Sequence, residues 1–299
     1  MNSAMPTTIA GYLAQLRAAL RGADPALIQD ALYDAEEHLR AELAERADGD
    51  EAAMLAAVVG SYGAPEEVAS IYRSQEVTVQ RALRAPPAPP RSTWWGRFFG
   101  VAADPRTYTA MFYMLLAMAT GIFFFTWAVA GVALSAGLLV LIIGVPFLVL
   151  YIGTVRVLSL VEGRIVETLL DVRMPRRPAY SNTALPWRQR IVTMFTDPRT
   201  WTTLLYMLLM LPLGVAYFCI VVTGLSVSVG LVVSPLTQAW WDFPVILASD
   251  NVAWPVPPWL WPLVCAAGVL LLFVTLHVVR GIGQLHGQLA KHLLVRSAA

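Results

Sequence analysis

One hydrophobic hairpin occurs twice in this chain. Residues 104–121 read DPRTYTAMFYMLLAMATG, and residues 197–214 read DPRTWTTLLYMLLMLPLG. Asp104, Pro105, Arg106, Thr107, Tyr113, Met114, Leu115, Leu116 and Gly121 recur at a constant offset of 93. An insertion near residues 232–262 follows. Beyond it the register returns at an offset of 124, in Gly144/Gly268, Arg156/Arg280, Gly163/Gly287 and Leu169–Leu170/Leu293–Leu294. Two copies of one unit constrain the architecture more than any local propensity does. Residues 107–155 carry no ionisable Asp, Glu, Lys, Arg or His, and neither do residues 200–241. About 20 apolar residues cross a bilayer core of roughly 30 Å. Each run is therefore long enough to cross twice, or once with a long interfacial extension. The pattern predicts spans near 107–129, 133–156, 202–230 and 259–280. Mean hydropathy of +0.60 with only 14% charged residues fits a membrane chain. The first 90 residues are polar and lack the apolar core of a signal peptide. The expected fold class is all-α: a soluble N-terminal helical module plus a polytopic bundle of four transmembrane helices in two repeated hairpins.

Charge gives these spans a direction. The connection between spans two and three holds Arg164, Arg173, Arg176, Arg177, Arg188 and Arg190, and the tail holds Arg280, Lys291 and Arg296. The insertion between spans three and four holds Asp242 and Asp250 and no Lys or Arg. Basic loops stay in the cytoplasm, so both termini and the central loop are expected inside. Most tryptophans lie near span ends, as an aromatic belt requires.

Residues 7–84 read as four helical segments. The first presents Tyr12, Leu13, Leu16 and Leu20, and Gly22 stops it. Asp24-Pro25 is a cap followed by proline at the first helical position, and it opens a second segment with the stripe Ile28, Leu32, Ala35, Leu39 and Leu43. A third follows Asp50. A fourth opens at Pro65-Glu66-Glu67 and presents Val68, Ile71, Tyr72 and Val79 inward. The ordered set Tyr12-Leu13-x-x-Leu16, Asp34-Ala35-Glu36-Glu37-His38-Leu39 and Gly63-Ala64-Pro65-Glu66-Glu67-Val68-Ala69 resembles the bacterial HAAS module over residues 8–83. Residues 95–296, with two DPRT starts and a glycine after each YMLL, resemble the bacterial Putative sensor domain, a duplicated four-span unit. The resemblance implies a non-enzymatic signalling role, often beside PadR-type transcription regulators, and supplies no ligand. The expected organisation is a HAAS-like module over 1–84, a Pro-rich linker over 85–94, membrane repeat 1 over 95–196 and membrane repeat 2 over 197–299.

The module is acidic and the remainder basic: −6 over residues 1–90 and +7 beyond. An acidic module is a poor nucleic-acid binder and suits a basic partner, or the chain's own basic collar. Asp30, Asp34 and Glu37 form one ridge on the second segment, read either as a partner face or as a solvated face. Segments 158–172 and 282–294 repeat apolar residues at helical spacing. They read as amphipathic helices that lie on the inner leaflet or pack together. Arg173, Arg176 and Arg177 form a candidate inner-leaflet contact to membrane lipids. The insertion carries Trp240, Trp241, Trp254, Trp259 and Trp261 among prolines, either as an extracytoplasmic sensing surface or as a cap on the bundle. No phosphate loop, HExxH or catalytic triad spacing is present, so no cofactor, metal or catalytic residue is expected. Cys219, Cys265 and the four histidines lack metal spacing. The predicted spans hold no ionisable group apart from His277 at an edge, which disfavours a coupled transporter. The expected function is an inner-membrane sensor that passes an envelope or amphiphile signal to a cytoplasmic regulator protein. A homo-oligomer is compatible with it. The alternatives are an accessory subunit of a transport or envelope complex, or a permease.

Overall fold

The structure is a computed structural model and describes residues 6–46, 50–83, 93–139, 144–177, 189, 192, 195–241, 246–249, 252–255 and 257–295. The N-terminal module is built from α1 (Ile9–Ala19), α2 (Pro25–Glu45), α3 (Glu51–Tyr62) and α4 (Pro65–Leu83). Local chemistry sets the ends of these helices. Thr8, Asp24 and Asp50 each accept a backbone N–H in the first turn of α1, α2 and α3, which satisfies donors that a helix start leaves open. Gly22 and Gly63 end α1 and α3 at positive φ, where a side chain would be strained. Tyr12, Leu16, Leu20, Ala31, Ala35, Leu39 and Met54 are wholly buried. The Tyr12 hydroxyl donates to the Gly63 carbonyl at 2.9 Å and pins α1 to the turn before α4. Burial pushes the Tyr12 phenol well above its ordinary pKa. One expected core position is corrected. The buried arc of α4 runs from Val68 through Tyr72 to Ala69, and Ile71, just outside its edge, is 44% exposed. The Val79 side chain and the Pro-rich segment 84–92 lie outside the described residues.

The membrane part begins with a short helix, α5 (Trp94–Phe99), and a 3₁₀ turn. Four long helices follow: α6 (Pro105–Leu138), α7 (Gly144–Leu170), α8 (Pro198–Trp241) and α9 (Trp261–Leu294), each long and apolar enough to cross a membrane. All four run past the C-terminal ends of the expected spans. α6 continues to Leu138 and α7 begins at Gly144, whereas the first expected span ended near 129 and the second began near 133. The segments 158–172 and 282–294 are largely the ends of α7 and α9 and not separate surface helices, because no proline or capping break interrupts them. They pack together in the bundle core. Inside the insertion, α8 continues to Trp241, and β1 (Ile246–Ser249) pairs antiparallel with β2 (Val252–Pro255).

The duplication becomes a pseudo-two-fold arrangement in space. A Cβ placed on Gly121 would overlap the carbonyl of Met210, and one on Gly214 would overlap that of Ala117. Ala117 and Met210 are themselves repeat partners, so α6 and α8 cross at backbone contact in a reciprocal way. Further along, Ser135 bonds back to the Gly131 carbonyl and Ser228 to that of Gly224, both at 2.6 Å. Gly131 faces Tyr151 and Gly224 faces Thr275, the residue at the matching position of α9. The ion pairs exchange between copies. Arg156 of the first hairpin reaches Asp197 of the second at 3.6 Å, while Arg280 of the second reaches Asp104 of the first at 3.0 Å. Each return helix is thus tied to the start of the other hairpin.

Gly121→Ala or Gly214→Ala should destabilise the purified protein by about 1–3 kcal/mol, since a methyl has no room at the crossing. Gly137→Ala should leave the melting midpoint unchanged, because its Cβ would meet nothing within 4 Å. A thermal melt in detergent compares the three.

Candidate functional site

Where the two hairpins meet, the pseudo-two-fold brings four polar side chains into the bundle core. Tyr113 and Tyr206 are repeat partners at an offset of 93, and Glu162 and His286 at an offset of 124. Each is 1% exposed. Both tyrosine hydroxyls donate to Glu162 Oε1, at 2.8 and 2.9 Å. The same hydroxyls lie 2.6 and 3.1 Å from His286 Nε2, and the Tyr217 hydroxyl lies 3.1 Å from His286 Nδ1. A tyrosine hydroxyl has one proton and can also accept. One arrangement satisfies every contact: Nε2–H donates to the tyrosine oxygens, and Tyr217 donates to Nδ1. Glu162 Oε2 remains buried with no hydrogen-bond partner among the described residues. A carboxyl group is expensive to bury in a bundle core, which makes Glu162 the candidate around which this site is built.

Sequence reading missed this cluster. The expected spans ended at 156 and 280, which left Glu162 and His286 outside them, and His286 counted only as a histidine without a helical partner. A signal was present. Glu162 and His286 immediately precede the repeat glycines Gly163 and Gly287, so the repeat register alone aligns them.

A second polar assembly lies where α7 and α9 run out of the bundle. Asp30 of α2 is 5% exposed, which corrects its reading as a surface position. It accepts from the backbone N–H groups of Arg176 and Arg177, at 2.7 and 2.9 Å, and from the Arg173 guanidinium at 3.2 Å. Arg173 also pairs with Glu76 at 3.0 Å, and Arg177 pairs with Asp34 at 2.9 Å. Lys291 near the end of α9 pairs with Asp24, and Arg199 at the start of α8 donates to Gln29 at 3.0 Å. The acidic ridge, expected to face a partner, the chain's own basic collar or solvent, and the basic cluster, expected at the leaflet, therefore meet each other through Asp30, Asp34, Arg173 and Arg177. Glu37 stays exposed. Burial pushes the Asp30 carboxyl above the ordinary carboxylate range, against the lowering effect of the Arg177 and Arg176 amides and the Arg173 charge. The docked form therefore holds this proton more tightly than the solvated form. Asp30's own contribution to docking is fullest below the ordinary carboxylate value and declines as pH rises through the raised one.

The family model described as "Putative sensor" matches residues 113–294, from the first tyrosine of the cluster to the end of α9. The chain belongs to this sensor family. A HAAS model matches residues 11–70, covering most of the N-terminal module. No curated protein and no solved structure matches the chain. Both families are signalling domains, so this is a membrane protein with a signalling role.

The remaining candidates of the sensor unit are the tryptophans at and within the insertion. Trp240 and Trp259 are both 76% exposed, and Trp261 is half-buried. The backbone of Trp254 pairs with Leu247 in the hairpin, and its side chain, like that of Trp241, lies outside the described residues. Among the described residues no group of His, Cys, Asp or Glu assembles to hold a metal.

Tyr113→Phe or Tyr206→Phe should each destabilise the sensor unit by about 1 kcal/mol, since a buried acceptor loses one of its two donors. The double variant should lose measurably more than the sum of the singles, because only then is the shared carboxylate oxygen left without a donor. Thermal melts of the four proteins close the cycle.

Proposed function

We propose that the chain is a non-enzymatic sensor of the bacterial inner membrane, which controls a cytoplasmic regulator protein by docking and releasing its HAAS module. The observation that carries this reading is that the buried cluster and the docking seam share two helices. Glu162 lies on α7, which leads directly to Arg173, Arg176 and Arg177, and His286 lies on α9, two turns or less before Lys291. A change in how the hairpins pack would alter the cluster and move both arms of the seam together. Such a mechanism needs two states of different stability and a stimulus that binds one of them better. The orientation that fits the arginine distribution places the module, the central loop and the C-terminal tail in the cytoplasm, and the Trp/Pro insertion outside. PadR-type regulators are the class of partner that the HAAS resemblance favours. The exposed tryptophans Trp240 and Trp259 then face the outer headgroup region, where an envelope or amphiphile stimulus would arrive.

Asp30→Ala tests the reading. It removes the acceptor of two backbone amides and of Arg173 while leaving the α2 core intact, so the seam should open. Amide hydrogen exchange across α2 and residues 172–177 of the full chain should speed up by about tenfold or more. Cells carrying the variant should show altered transcript levels without any stimulus. Unchanged exchange would mean that Asp30 does not hold the module. Faster exchange with unchanged transcripts would favour an accessory role over signalling.

A further inference from the structure

The duplicated scaffold builds the same pocket twice and fills it only once. In one copy, Arg156, Ser159, Leu160, Arg199 and Thr203 surround a space of about 20 Å³. Their repeat partners are Arg280, Gly283, Gln284, Arg106 and Ala110, and these line a cavity of about 600 Å³. The two arginines are common to both. What differs is bulk: glycine stands where the closed copy has Ser159, and alanine where it has Thr203. The closed copy is also covered from outside, since Arg199 donates to Gln29 of the module. Among the described residues, none of the module lines the open one.

We infer that the open pocket is a phospholipid site, with the phosphate held between Arg106 and Arg280. Each guanidinium engages an aspartate through one nitrogen, Arg106 with Asp171 at 2.9 Å and Arg280 with Asp104 at 3.0 Å. An arginine offers five donors in a planar fork, so a phosphate can be bound without breaking either pair. Asp171 itself sits at φ 56°, in the left-handed region, and is the only non-glycine residue there among those described. Holding it costs about 1–3 kcal/mol, so its contact with Arg106 is readily exchanged. Apolar walls select a lipid over free phosphate. Leu169 and Leu170 lie beside the arginines, and Leu285 is 72% exposed at the rim. The arginines also mark the level where the uncharged helices end, which is headgroup depth. Gln284 and Gln288 add amide donors. A second cavity of about 560 Å³ shares Leu285 and Gln288 and reaches Lys291 and Pro25, the first residue of α2. A lipid seated at the arginines therefore lies next to the docking seam. Its influence on signalling rests on the sensor reading; its binding does not.

The test uses the full chain, delipidated in detergent, and reads lipid retention by native mass spectrometry and protection by thermal melt. Phosphatidylglycerol should be retained and should raise the melting midpoint by several degrees. Sodium phosphate and the phosphate-free amphiphile monoolein should do neither. The variant Ala110→Thr/Gly283→Ser/Gln284→Leu rebuilds the closed copy's own filling and should bind phosphatidylglycerol at least about tenfold more weakly. Leu285→Gln, at an exposed rim position, keeps the question open to test if that variant does not fold, and it should also weaken retention. Equal protection by monoolein would reduce the site to unspecific apolar filling, and protection by phosphate alone would make it an anion site. Undiminished retention by the folded variants would overturn the assignment. Transcript changes on opening the seam would stand in all three cases, so a failed lipid site and a failed sensor reading give different results.

Discussion

The crossing of α6 and α8 at Gly121 and Gly214 is the contact on which the bundle depends. In a bilayer, apolar side chains gain little by leaving lipid for protein, so close packing must supply the attraction. Two glycines in repeat register allow each helix backbone to rest on a carbonyl of the other. That approach sets the separation between hairpins. It also sets where Tyr113 and Tyr206, two turns before the glycines, point. Tyrosine rings at this distance can reach a shared acceptor on α7 and a ring nitrogen on α9. A wider crossing would leave Glu162 buried without donors, which a packed core tolerates poorly. The swapped ion pairs of Arg156 and Arg280 close the same arrangement at its rim.

Symmetry and its breaking divide the work. Positions that remain alike in both copies, such as the DPRT starts and the crossing glycines, hold the scaffold. Positions where the copies differ carry the specific features. Glu162 faces His286 where strict symmetry would give two like residues. Pro212 and the hairpin of β1 and β2 belong only to the second copy. The open pocket at Arg106 and Arg280 has a filled twin. The module meets the two halves unequally: Gln29 covers Arg199, while no described module residue lines the pocket at its repeat partner Arg106. An asymmetric contact on a symmetric base is a natural place for a two-state element, because the uncovered side shows that the bundle does not need it for its own packing.

Much of this was legible in the sequence. The offsets of 93 and 124 gave two hairpins, the uncharged runs gave four membrane helices, and caps such as Asp24-Pro25 gave the module's helix starts. The site was less legible for two physical reasons. Spans are recognised by the absence of charge, so a reading that ends a span at Arg156 or Arg280 excludes whatever ionisable group the helix buries nearly two turns later. The burial of Glu162 and His286 comes from the other hairpin and leaves no mark on their own segments. Asp30 misled differently. Spaced with Asp34 and Glu37 it reads as a solvated face, and only docking against residues 173–177, more than 140 positions away, buries it.

The central claim is that the cluster in the bundle and the position of the module are coupled. A distance measurement between spin labels tests it most directly. With Cys219 and Cys265 replaced by alanine, labels go on Glu37 of α2 and Tyr108 of α6, both exposed. The full chain in lipid nanodiscs should give one narrow distance distribution. Adding Tyr113→Phe and Tyr206→Phe, which touch neither label nor seam, should broaden it or shift it towards longer distances. Superimposable distributions from a folded variant would show that the cluster only stabilises the bundle, and the proposed coupling would be wrong.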